Sequence, residues 1–170
     1  ESGRLSLYSA LRAIGNHEKK GLRRKKILVP GFNFELIGEV VRAAGLIPVY
    51  VDVDSETFNM DTSLISKKID KETSGIIATH IFGNPCNMDD IIRERDKNNL
   101  FLIEDCAHCF GTKLGGRFCG SFGDASVFSF HPSKPINGLY GGFVVLNNDT
   151  LTSKILKPKK SSSIIKEMKL

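Results

Sequence analysis

The sequence predicts an α/β protein, a three-layer α/β/α arrangement around a mainly parallel sheet. Three observations carry that expectation. Short β-branched runs alternate with helical stretches of about ten residues, the rhythm of βαβ units. One run, Leu100 to Glu104 (LFLIE), is apolar up to its acidic end, as a strand covered on both faces must be. And 170 residues, 41% of them hydrophobic, suffice for one core without disulfides or metals.

In chain order, Leu5 to Ile14 reads as a helix because Leu7, Ala10, Leu11 and Ile14 fall at helical spacing. Ile27 to Val29 is a short strand closed by Pro30 and Gly31. Phe34 to Ala44 is helical and stopped by Gly45. Leu46 to Val53 is a strand, Thr62 to Ile69 a short helix and Gly75 to Ile81 a strand. Met88 to Lys97 is a helix opened by Asn87 as cap. After the Leu100 strand come two more, Ala125 to Phe130 and Gly142 to Leu146. Ser161 to Ser163 and the lysines around them read as a linker or disordered end.

The formal charge of +5 is a local matter. Residues 154–170 hold six Lys and one Glu, so residues 1–153 balance 18 basic against 18 acidic side chains. Neither that tail nor the basic run from Lys19 to Lys26 interleaves aromatics, which argues against nucleic acid as a partner. No apolar run reaches the ~18–20 residues of a membrane span. Four cysteines (Cys86, Cys106, Cys109, Cys119) without a second C-x-x-C do not read as a zinc knuckle, even with His108 nearby. No metal is expected, and free thiols point to a reducing, cytoplasmic compartment.

In parallel α/β sheets, sites collect at the carboxyl ends of strands. The buried strand ends in E-D-C-A-H, which puts Asp105 and His108 at that edge. The strand ASVFSF runs into H-P-S-K, adding Ser129, His131 and Lys134. The first strand ends in P-G-F-N-F, with Phe32 and Phe34. Gly3 and Arg4 open the first helix, where backbone N–H groups face an anion.

Together these segments resemble the DegT/DnrJ/EryC/StrS sugar aminotransferases, pyridoxal-phosphate (PLP) enzymes with the aspartate-aminotransferase fold. The resemblance rests on S-G-R-L-S-L-Y-S-A-L (Ser2 to Leu11), V-P-G-F-N-F (Val29 to Phe34), P-V-Y-V-D-V-D (Pro48 to Asp54) and H-I-F-G-N-P-C-N-M-D (His80 to Asp89). It continues through I-E-D-C-A-H (Ile103 to His108), G-S-F-G-D (Gly120 to Asp124), F-S-F-H-P-S-K (Phe128 to Lys134) and Gly141-Gly142.

The resemblance implies roles. Lys134 matches the Schiff-base lysine, and Asp105 the carboxylate that keeps the pyridine nitrogen protonated. His108 takes the position near the ring and its hydroxyl, and Phe34 the place of an aromatic against the ring face. Gly3, Arg4 and Ser129 are implied as the phosphate's donors. The implied reaction moves an amino group, from glutamate, onto a nucleotide-linked keto sugar, in a homodimer. A dehydratase branch of the family carries His in place of the lysine, so Lys134 argues against that reading. Two departures stand out: Arg4 where much of the family has Thr, and Pro135 where Asn is usual.

Members run to roughly twice this length. The resemblance therefore implies a PLP-binding large domain over residues 1–150, incomplete at the amino end. Residues 151–170 would be a basic tail, with the small carboxyl-terminal domain absent. Such a chain is expected to bind PLP weakly and to transaminate poorly, or to be an inactive family member.

Overall fold

The computed structural model describes residues 3–17 and 24–152. The tail from Lys154, the Ser161 to Ser163 stretch and much of the basic run from Lys19 lie outside the described residues. Six strands form one sheet in the order β2-β1-β3-β4-β7-β8. They are β1 (Lys26–Pro30), β2 (Ile47–Val51), β3 (Thr73–Thr79), β4 (Phe101–Asp105), β7 (Ala125–Ser129) and β8 (Gly142–Leu146). All neighbours are parallel except β7 and β8, which run antiparallel. The mainly parallel sheet is as the sequence predicts.

Strand alternation sorts the core into two halves. Ile27, Val29, Ile77, Ile103, Ala125 and Val127 point to one face. There they meet α1 (Gly3–His17), α2 (Leu36–Ala43) and Leu151 of the short α5 (Asp149–Thr152). Leu28, Val51, Ile76, Ala78 and Leu102 point to the other face, against α3 (Thr62–Lys68) and α4 (Met88–Asn98). Helices on both faces make the three layers. Leu7, Ala10, Leu11 and Ile14 form the buried stripe of α1, as their spacing predicts. Asn87 caps α4, its side chain accepting from Asp90 N–H.

Several boundaries differ. The strand predicted over residues 75–81 is Thr73–Thr79. Thr73 and Ser74 are buried, and Ser74 Oγ donates to the Lys26 carbonyl, so β3 starts earlier along β1. It ends earlier because residues 81–83 turn in a 3-10 step with Phe82 at φ 53°. A small hairpin, β5 (Lys113–Leu114) with β6 (Arg117–Phe118), has no counterpart in the predicted elements. Its turn is Gly115-Gly116, both at positive φ, which suits a two-residue hairpin loop. α5 was likewise not predicted. Lys26 pairs with Asp70 at 2.5 Å and Glu72 at 2.8 Å, so this end of the basic run is neutralised locally.

The G-S-F-G-D segment is tied to β4 by a buried carboxylate. Glu104 Oε1 accepts from the N–H groups of Phe122 (2.7 Å) and Gly123 (2.6 Å). Its Oε2 accepts from Gly120 N–H (2.7 Å) and contacts His80 Nε2 at 3.1 Å. Burial alone would push this carboxyl up, but His80 and the two glycine N–H groups hold it below its ordinary value. Gly142 lies against the start of α1. A Cβ there would sit 2.7 Å from Gly3 N and 2.5 Å from Phe128 O, both backbone atoms.

Two outcomes follow from these contacts. Glu104→Gln turns an amide N–H₂ toward N–H donors and should cost about 3 kcal/mol in urea unfolding. Because the folded carboxyl titrates below its unfolded value, its contribution is complete at neutral pH and is lost as pH falls through the folded value. The Gln variant should therefore show a flatter loss of stability in acid. Gly142→Ala should cost about 1–3 kcal/mol and speed hydrogen exchange in the first turn of α1, since neither backbone neighbour can yield cheaply.

Candidate active site

The sheet's order reverses between β1 and β3, because the chain goes from β1 outward to β2 and then returns past β1 to β3. Ligand crevices form at such a switch point, beyond the strands' carboxyl ends. Asn33, just after β1, donates to Thr79 Oγ1 at the end of β3 across that reversal, at 2.7 Å. A cavity of about 330 Å³ opens there, lined by the carboxyl ends of β1, β3, β4 and β7 and by the first turns of α1 and α2.

Of the nine residues singled out in the sequence, the structure brings eight to this one cavity, namely Gly3, Arg4, Phe34, Asp105, His108, Ser129, His131 and Lys134, whereas Phe32 packs against Phe58 and Phe82 and does not line it. β4 delivers Asp105. Its neighbour Glu104 points to the opposite face, so the alternation that anchors one carboxylate aims the other at the cavity. Asp105 is buried, and Oδ1 accepts from Ala107 N–H at 3.1 Å. Burial pushes its carboxyl above the ordinary value, against the opposing pull of the Ala107 N–H, His108 and Lys134. A cationic N–H placed against this acid would reverse that balance.

Lys134 follows β7 in a turn closed by its own N–H to the His131 carbonyl. Its Nζ lies 2.7 Å from His108 Nε2. Burial lowers the pKa of both groups, with Lys134 adding to the effect on His108 and Asp105 opposing it on each. The other nitrogen of His108 lies 3.3 Å from Phe82 N, and the two rings stack at 6.1 Å. His131 is exposed and bonds Ser133 Oγ at 2.9 Å.

The anion corner is built by close approach. A Cβ on Gly3 would meet Ser129 Cβ at 2.8 Å and Oγ at 3.2 Å, so only glycine lets the helix start touch this hydroxyl. The first N–H groups of the 15-residue α1 have no intrahelical partner and carry the positive end of its dipole. Phe34 stands half in solvent at the rim. An amine, a buried carboxylate, an imidazole, an aromatic and an anion corner are the donor set that pyridoxal phosphate requires, and the residues present fit it.

Sequence reasoning missed three contributors: Asn33 and Thr79 at the reversal, and Phe82, whose backbone reaches His108. The P-G-F-N-F motif contained Asn33, but nothing in it shows a partner 46 residues away. The cysteines also gather in a way that linear spacing hides. Cys106, Cys109 and Cys119 pack with Phe128, and two groups, His80–Cys109–Cys119 and His80–Glu104–Cys106, each bring their ligand atoms within 4.8 Å. His80, however, has both ring nitrogens engaged: Nδ1 accepts from Cys86 N–H at 3.0 Å, and Nε2 meets Glu104. The contact with Cys109 and burial push the Cys106 thiol far up, and burial lifts Cys119 to about 12, so these sulfurs carry their protons.

The chain matches the model of the DegT/DnrJ/EryC1/StrS aminotransferase family over residues 1–167. It is 38% identical over 155 residues to GDP-perosamine synthase of Escherichia coli O157:H7, covering 91% of this chain and 41% of that protein. It is 36% identical to the UDP-N-acetyl-3-dehydro-alpha-D-glucosamine 3-aminotransferase of Acidithiobacillus ferrooxidans, covering 92% and 41%. The chain thus spans about two fifths of the length of these curated relatives. Among solved structures, NtdA of Bacillus subtilis with bound cofactor PMP superposes with a TM-score of 0.78 at 27% identity, over 90% of this chain and 33% of that one. The fold, the reversal crevice and the match over nearly the whole length agree: this chain belongs to the DegT/DnrJ/EryC1/StrS aminotransferase family.

Proposed function

We propose that this chain is the cofactor-binding part of a PLP-dependent aminotransferase that moves an amino group, from glutamate, onto a nucleotide-linked keto sugar. One observation carries the reading: a half-buried lysine amine, a buried carboxylate and a glycine-lined helix start converge on one cavity at the sheet's reversal point. The names of the relatives, with their GDP- and UDP-linked compounds, support the sugar class.

When bound, the cofactor supplies an aldehyde that accepts and releases the amino group and a ring that withdraws electrons from the reacting carbon. The chain's residues do the rest. The N–H groups of Gly3 and Arg4, with Ser129 Oγ, hold the phosphate. Asp105 would hold a proton on the ring nitrogen and, facing that cation, would stay ionised despite its burial. Phe34 would lie against the ring face, and His108 near the ring and its hydroxyl. Lys134 is the point of attachment and carries protons to and from the substrate carbon; burial lowers its pKa toward the range where an amine can do both.

The large-domain assignment belongs to this reading, with its edge carried past residue 150 because Leu151 of α5 is buried in the core, and so does a homodimer in which two copies meet at the site. No helix among the described residues is long and apolar enough to cross a membrane. A reducing, cytoplasmic setting is supported by Cys86, Cys106, Cys109 and Cys119, all unpaired thiols.

Two experiments test the reading. Borohydride reduction of the chain mixed with PLP, followed by peptide mapping, should fix the cofactor on Lys134 and leave Lys134→Ala unlabelled; label on another lysine in that variant would overturn the assignment. Asp105→Asn should retain measurable PLP absorbance while slowing the glutamate half-reaction by on the order of a hundredfold or more. A rate near wild type would remove Asp105 from the chemistry.

A further inference from the structure

His108 sits between two groups with opposite demands. Its Nδ1 lies 3.3 Å from the backbone nitrogen of Phe82, and its Nε2 lies 2.7 Å from Lys134 Nζ. A backbone N–H can only donate, so Nδ1 presents its lone pair to Phe82. A neutral imidazole with a bare Nδ1 carries its proton on Nε2. That proton points at the lysine nitrogen and needs a lone pair there, which an ammonium lacks. The opposite arrangement, an ammonium donating to a bare Nε2, puts the ring proton on Nδ1, directly against the Phe82 N–H. A doubly protonated ring fails at Nδ1, where its proton meets the Phe82 N–H whatever the state of the lysine. An uncharged Lys134 beside the Nε2–H form of His108 satisfies both contacts at once.

We propose that the main chain of Phe82, acting through His108, is a positioning element that keeps the Lys134 amine uncharged and ready to attack a carbonyl before any cofactor arrives. The inference rests on the reading of Lys134 as the attachment lysine and adds what prepares it. The loop carrying Phe82 is held in an unusual shape. Phe82 has φ 53°, a conformation uncommon for a bulky side chain and one that persists only where surrounding contacts impose it. Those contacts are present. Ile81 N–H donates to Asn59 Oδ1 at 3.1 Å, and Asn59 Nδ2 donates to the carbonyls of Asn84 and Pro85 at 3.1 and 3.2 Å. Gly83 follows at φ 83°, and a Cβ there would lie 3.0 Å from the His108 carbonyl. The Phe82 ring is 71% exposed, so burying that ring does not explain the strained backbone, whereas aiming its N–H does.

Burial around the pair, not charge, favours the uncharged forms. Burial disfavours the cationic form of both Lys134 and His108, and Asp105 on β4 pulls the other way on each. Arg4 on α1 and His131 on the lysine's own segment line the same cavity, and His80 stands behind Asp105.

The cofactor-free chain supplies the test. Long-range ¹H–¹⁵N NMR should show His108 with its proton on Nε2 at neutral pH. Competitive acylation across a pH series, read by mass spectrometry of the Lys134 peptide, should give a half-point at least about one pH unit below that of the exposed lysines. His108→Gln keeps both functions, an oxygen for Phe82 N–H and an N–H for the lysine, and should retain the low half-point. His108→Met has similar bulk but no N–H, and its half-point should rise by about one pH unit. A proton on Nδ1 in the wild-type chain would overturn the proposal, and so would Gln and Met variants with the same half-point. Failure of the aminotransferase reading looks different: no borohydride-fixed PLP on Lys134, with the tautomer and the half-points unchanged.

Discussion

The constraint on which the site depends is the burial of Glu104. A carboxylate taken out of water is costly unless its lone pairs are met, and here four donors meet them: three backbone N–H groups from residues 120–123 and His80 Nε2. Those donors come from two loops on either side of β4. The strand cannot slide by one residue without moving Glu104 away from all of them and turning Asp105 to the wrong face. The register of the central strand, and with it the aim of the working carboxylate, is set by a charge that never meets the cavity. Two adjacent acids are thereby driven apart: Glu104 is held ionised by its donors, while burial pushes Asp105 toward the neutral form. One fixes geometry, and the other is left reactive until a cation comes to it.

The same division explains what could be read from the sequence. Alternation of apolar runs and helical stretches revealed the layers, because burial on two faces writes itself into local composition. Lys134, Asp105, His108 and Ser129 were legible since they follow strands, and strand ends in a parallel sheet share one edge. Phe82 was not legible: its contribution is the direction of a backbone N–H, fixed by a positive φ that a phenylalanine does not advertise. Asn33 with Thr79 and Asn59 with its two carbonyls were hidden for a different reason. Each pairs across elements, and only the strand order says which elements are neighbours. The hairpin at 113–118 was readable from Gly115-Gly116 but too short to stand out as strands. The boundary of β3 shifted because Thr73 and Ser74, polar in composition, are buried and paired in the structure.

The cavity's electrostatics also follow from where polar groups have lost their water. Lys134 and His108 share one hydrogen bond, and Asp105 lies near, its Oδ1 accepting from Ala107 N–H. Asp105 favours the cationic forms of Lys134 and His108, and both favour its ionised form, against the burial that all three share.

The contact between Gly3 and Gly142 joins the first helix to the last strand of the sheet. During synthesis the chain emerges amino end first, and α1 must wait for β7 and β8 before its first turn has anything to lie against. The lysine-bearing turn lies between those two strands. Anchor and nucleophile thus come into being in the same late step, when the long-range pairing closes. A half-made chain offers neither a phosphate cradle nor an aimed amine, so a reactive aldehyde has no organised place to bind prematurely. Ligand occupancy then adds stability to the finished domain alone, drawing the folding equilibrium toward completion by mass action.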